Sequence, residues 1–153
     1  MQEQKEIFRN IKVLIAPLKG EIEGKRSMVE KKKSVIRTNN LYLEQFDRQI
    51  SRVVMGSIFA IEGLQESIKE EFYKKQKSFL TKIEIFLAEM EQMMAWRDLK
   101  YQELVELNTL SDGASEVVAL LEVLVEIEKV ILECQGDLTN QKNFIENLVF
   151  NQK

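Results

Sequence analysis

The side chains that most often carry chemistry are scarce here. The 153-residue chain has no His and one Cys, Cys134. Lack of His removes the commonest general base and metal ligand. A single Cys excludes an intrachain disulfide framework and a zinc site built from several cysteines. Cys134 lies between Ile131 and Leu138 on an apolar stripe, where a thiol behaves as a small inert hydrophobe. Glu62, Glu66 and Glu70 recur at steps of four and share a helix face. Di-iron bundles pair such glutamates with Glu-x-x-His, and that arrangement is ruled out without His. An all-carboxylate site for a hard cation is weighed against an acidic, solvent-facing stripe, and the stripe is preferred. No glycine-rich phosphate loop or nucleophile elbow occurs. The expectation is therefore a protein that is not an enzyme, with no catalytic residue, cofactor or metal.

Binding offers more candidates. Met90, Met93, Met94 and Trp96 form a soft apolar cluster, and Phe72, Phe79 and Phe86 extend it at steps of seven. Met adapts to irregular surfaces and Trp is enriched at interface hot spots. The seven residues read either as core or as a surface for a partner or a second copy. Gly56, Ala60 and Gly63 fall at steps of four and three, which suits close helix packing or a hinge. Lys25, Arg26, Lys31, Lys32, Lys33 and Arg37 make a basic segment. It could meet phosphates, but no aromatic between Gly20 and Leu41 offers a stacking platform, and consecutive lysines point in different directions. A solvated helix surface is the plainer reading.

These residues must be carried by helices. Apolar residues recur at helical steps almost throughout, with one Pro in the whole chain and no run of strand-like alternation. The first stripe is Ile7, Ile11, Leu14 and Leu18; Pro17, Gly20 and Gly24 then predict a kink or turn. Ile22, Val29, Ile36 and Leu43 follow at steps of seven, but Lys25, Lys32 and Asn39 between them make a weak seam, so residues 20–40 are expected to project or to pair loosely. A third stripe from Ile58 to Leu107 predicts one helix over about 57–110, some ~80 Å long at 1.5 Å per residue. Ser111-Asp112-Gly113 is the clearest break, and it predicts a reversal at 111–114 that sets Leu104, Leu107 and Leu110 against Val117, Leu121 and Leu124. Gly136-Asp137 is read as a further break. The whole, residues 1–153, is read as a single all-α domain with helices at about 3–16, 20–55, 57–110, 114–135 and 137–151. Its architecture is expected to be an elongated helical bundle or coiled-coil hairpin.

The composition agrees. Apolar residues make up 44% and charged residues 31%, enough for a core. The most apolar run, Val117–Leu132, is interrupted by Glu122, Glu126, Glu128 and Lys129, so no membrane span is expected. The polar N-terminus, with no apolar signal-peptide core, points to a cytoplasmic location. The net charge of −3 divides into +6 over residues 1–82 and −9 over 83–153, a dipole that could guide antiparallel packing within one chain or between two. A central helix too long to be covered by its own chain would need a second copy, so a homodimer through Phe72, Phe79, Phe86 and Met90 is expected. The competing arrangement has residues 20–55 fold back to cover that stripe. Function is read as a helical protein–protein interaction module: an adaptor, scaffold or inhibitor. The alternatives are an export chaperone holding a partner helix, and a nucleic-acid-associated protein using residues 25–37.

Overall fold

The computed structural model describes residues 2–55, 66–111 and 114–148, with side chains described within 12–53, 66–111 and 114–148. Three helices account for 97% of the described residues: α1 (Gln2–Met55), α2 (Glu66–Leu110) and α3 (Ser115–Glu146). No strand occurs among them. The all-α expectation holds, but two expected breaks do not. Helix α1 runs unbroken through Pro17, Gly20 and Gly24, and α3 runs through Gly136-Asp137. Pro in a helix interior costs about 3 kcal/mol and Gly about 1 kcal/mol against Ala, so packing must offset these losses. Pro17 and both glycines face solvent, while Ile15 and Ile22 on the opposite face are buried. Around Gly136, Cys134 and Leu138 are fully buried.

The buried positions show why the helices persist. In α1, Ile15, Ile22, Val29, Ile36, Leu43 and Ile50 are buried at steps of seven. The seam over residues 20–40 is therefore packed, against the expectation that it would project or pair loosely. In α3 and just past its end, Val117, Leu120, Leu124, Ile127, Ile131, Cys134, Leu138, Gln141, Ile145 and Leu148 are buried at strictly alternating steps of three and four. In α2 the row at steps of seven is Gln76, Ile83, Met90, Arg97 and Leu104, ending on Ser111.

The chain divides into two compact units. The first comprises Met1–Lys33 and Met90–Glu133, the second Ser34–Glu89 and Cys134–Lys153. In the first, Arg26 pairs with Glu126 at 2.9 Å and Lys33 with Glu133 at 2.8 Å. Both numbers rise by seven together, so these segments of α1 and α3 run parallel. Helix α2 ends at Leu110 and α3 begins at Ser115. Between them Ser111 is buried; its Oγ donates to the Asn108 carbonyl at 3.2 Å and accepts from the Ala114 N–H at 3.4 Å. The Ala114 carbonyl accepts from the N–H groups of Val117 and Val118. The reversal thus falls where expected, with Asp112 and Gly113 outside the described residues. Its packing differs in two positions. Leu110 is 69% exposed and Ser111 takes the inward place, because the α2 row steps from 104 to 111. Leu120, not Leu121, is the fully packed residue of α3.

In the second unit, the Phe46 ring of α1 meets Phe72 edge-on at 6.1 Å and Phe79 at 5.4 Å between centroids. Residues 34–53 have folded back to cover the aromatic stripe of α2. Gln76 donates to the Ile145 carbonyl at 3.0 Å. Asn39 donates to Gln141 Oε1 at 3.0 Å, and Gln141 donates to the Ile36 carbonyl at 2.9 Å.

Candidate functional site

The seven residues read as a partner or self-association surface are mostly interior. Phe72, Phe86, Met90 and Met93 are buried, and Phe79, Met94 and Trp96 are half-buried. The ground for a dimer through this face was that Phe72, Phe79, Phe86 and Met90 would meet water; the chain covers them itself. Trp96 is fixed by its own neighbours. Its Nε1 donates to Glu21 at 2.8 Å, and Lys25 Nζ stands 5.5 Å above the ring. The Trp96 hydrogen bond, aided by the nearby charge of Lys100 at 3.6 Å, holds the Glu21 carboxyl below its ordinary 4.5.

The basic segment is partly spent on the chain's own acids. Arg26 and Lys33 pair with Glu126 and Glu133, and Lys25 turns onto Trp96. Lys32 is half-buried; Lys31 and Arg37 are exposed. The charge dipole seen in the sequence therefore acts inside the molecule, but between parallel segments of α1 and α3. Gly56, Ala60 and Gly63 lie outside the described residues, as does Glu62. Glu66 and Glu70 are exposed, and no group of His, Cys, Asp or Glu among the described residues could hold a metal ion. Cys134 is a buried thiol.

Arg97 is a polar residue with several partners that the sequence reading does not single out. It is buried; Nε donates to the Leu124 carbonyl at 3.1 Å, and the guanidinium pairs with Glu128 at 2.7 Å and Asp98 at 3.0 Å. Its carbon centre lies 4.5 Å from the Tyr101 ring centroid. With every face occupied, Arg97 is a clamp between α2 and α3 in the first unit. A groove of about 370 Å³ in the second unit is walled by Tyr42, Phe46 and Phe79 and rimmed by Lys75 and Lys82. Both lysines turn toward the chain, Lys75 to Gln49 at 3.5 Å and Lys82 above the Phe86 ring at 5.9 Å.

The core leaves large apolar side chains exposed on all three helices, among them a row on the outside of α3. Val118, Val125 and Leu132, at steps of seven, are 38%, 53% and 52% exposed. Leu121 is half-buried between the first two. The positions 118, 121, 125, 128 and 132 alternate by three and four, like the core row, but on another face. Glu128 in this second row has its carboxylate held by Arg97. Glu122 and Lys129 flank the row, exposed and without an ion pair among the described residues. The sequence reading sets Leu121 with Val117 and Leu124 against α2 and does not single out Val118, Val125 or Leu132. The available signal was surplus: the run Val117–Leu132 has more apolar residues than a single face can hold.

Among the described residues no helix is long and apolar enough to cross a membrane. Comparison with protein-family models, curated proteins and solved structures finds no match.

Proposed function

We propose that the protein is a non-enzymatic helical interaction module that docks a partner's helix on the outer row of α3. The observation that carries this reading is the row Val118, Val125 and Leu132, which the chain's own core does not need and leaves facing water. Such rows at helical spacing are the anchors of helix-in-groove recognition. The sequence supports binding over chemistry, since it has no His and its buried Arg, Asn and Gln side chains are tied to structural partners. The seven-residue repeat of burial further supports a left-handed coiled-coil winding of the helices within each unit, because 3.5 residues fall short of the 3.6 of a straight helix.

A photo-crosslinking residue at position 125, with position 31 as a control on an exposed basic site, tests this in the cells that make the protein. A discrete polypeptide adduct at 125 and none at 31 is the expected result. No adduct at 125 would remove the docking face.

A further inference from the structure

We infer that the outer row of α3 is self-complementary and pairs with the same row of a second copy, antiparallel, about a twofold axis at Val125. This rests on the docking reading above and names its partner. Val118 and Leu132 each lie seven residues from Val125, so antiparallel pairing sets Val118 of each copy against Leu132 of the other and Val125 against itself. The contact spans 15 residues, Val118 to Leu132, about 21 Å of helix. Its charges fit the same operator. Glu122 and Lys129 lie on one flank of the row, also seven apart and centred within a residue of Val125. Antiparallel pairing brings Glu122 of each copy beside Lys129 of the other, giving two symmetric ion pairs. Parallel pairing about an axis along the seam would place the two Glu122 on opposite flanks, and likewise the two Lys129, so no such ion pairs would form. Neither residue has an ion pair of its own among the described residues, so both are free for this role. Glu128 enters the row with its charge already met by Arg97, which lowers the cost of covering it. A two-helix contact this short is small beside stable dimer interfaces, so the association is in the micromolar range or weaker.

Sedimentation equilibrium of the full chain, from micromolar to sub-millimolar concentration, tests the inference. Wild type should show a concentration-dependent monomer–dimer equilibrium. Val125→Glu should abolish it with the helical circular-dichroism signal unchanged, since the position is half exposed. Glu122→Lys and Lys129→Glu should each weaken the dimer about tenfold. The double exchange Glu122→Lys/Lys129→Glu should restore it to near the wild-type value, a rescue that altered folding would not give. A monomer at every concentration overturns the inference; an adduct at position 125 with another polypeptide would still uphold the docking reading. A dimer that survives Val125→Glu, or singles that the double exchange fails to rescue, overturns it as well.

Discussion

Arg97 stands in the α2 row where Met90 and Leu104 are its neighbours seven residues away, so a charge occupies a core position. Removing one partner of such a cluster strands the rest. Arg97→Ala should destabilise the fold by about 2–4 kcal/mol in urea unfolding, below the full buried-pair cost because Glu128 keeps contact with water. Arg97→Met, which restores volume and removes the charge, should cost clearly less. The position was legible only by counting through a charged residue at the spacing of seven; reading by apolar type alone passes over it. Trp96 shows the converse. Its type suggested a hot spot, yet its indole is bonded to Glu21. Trp96 is the only Trp, so its emission reports this contact. Because the folded carboxyl titrates lower than the unfolded one, the Glu21 contribution is present above 4.5 and is lost as pH falls through the lower folded value. The emission should therefore change with a midpoint below 4.5, and Glu21→Gln should abolish that step. A midpoint at or above 4.5 would refute the assignment.

At the scale of elements, the existence and type of the helices were legible, and so was the turn at Ser111. The extra breaks came from treating Pro17, Gly20, Gly24 and Gly136-Asp137 as stops. These residues carry real local penalties, but Ile15, Ile22, Cys134 and Leu138 hold the opposite faces in the core. The conflict between propensity and packing remains stored in α1 and can be released. A Cβ at Gly20, Gly24 or Gly136 meets open space. Each Gly→Ala change should raise stability by about 0.5–1 kcal/mol. Pro17→Ala should add up to about 3 kcal/mol by returning a helix hydrogen bond. Thermal melting checks each; a neutral or destabilising outcome at all four would show that the glycines and proline are not under strain.

At the scale of the whole chain, the sequence left two arrangements open, a dimer covering the central helix or a chain folded onto itself. The ring contacts of Phe46 with Phe72 and Phe79 place the aromatic stripe inside the second unit. Phe79→Glu should consequently lower stability, by about 1–3 kcal/mol because the ring is half-buried, with helix signal lost on milder heating than wild type. Helical protein that merely loses mass in sedimentation would reverse that conclusion. The choice was not legible because apolar type and spacing say which face is covered but not by which chain. Repetition raises one more question, that of sliding. Apolar rows at steps of seven match equally well if α1 shifts one heptad along α3, and the ion pairs hardly object: Lys33 could then meet Glu126, or Arg26 meet Glu133. The amide pair does object. Asn39 meets Gln141, and one heptad either way it would face Cys134 or Leu148, burying an amide with no partner at a cost of about 1–3 kcal/mol. Asn39 and Gln141 thus act as the tooth of a ratchet, fixing one alignment out of several that hydrophobicity and charge alone would accept.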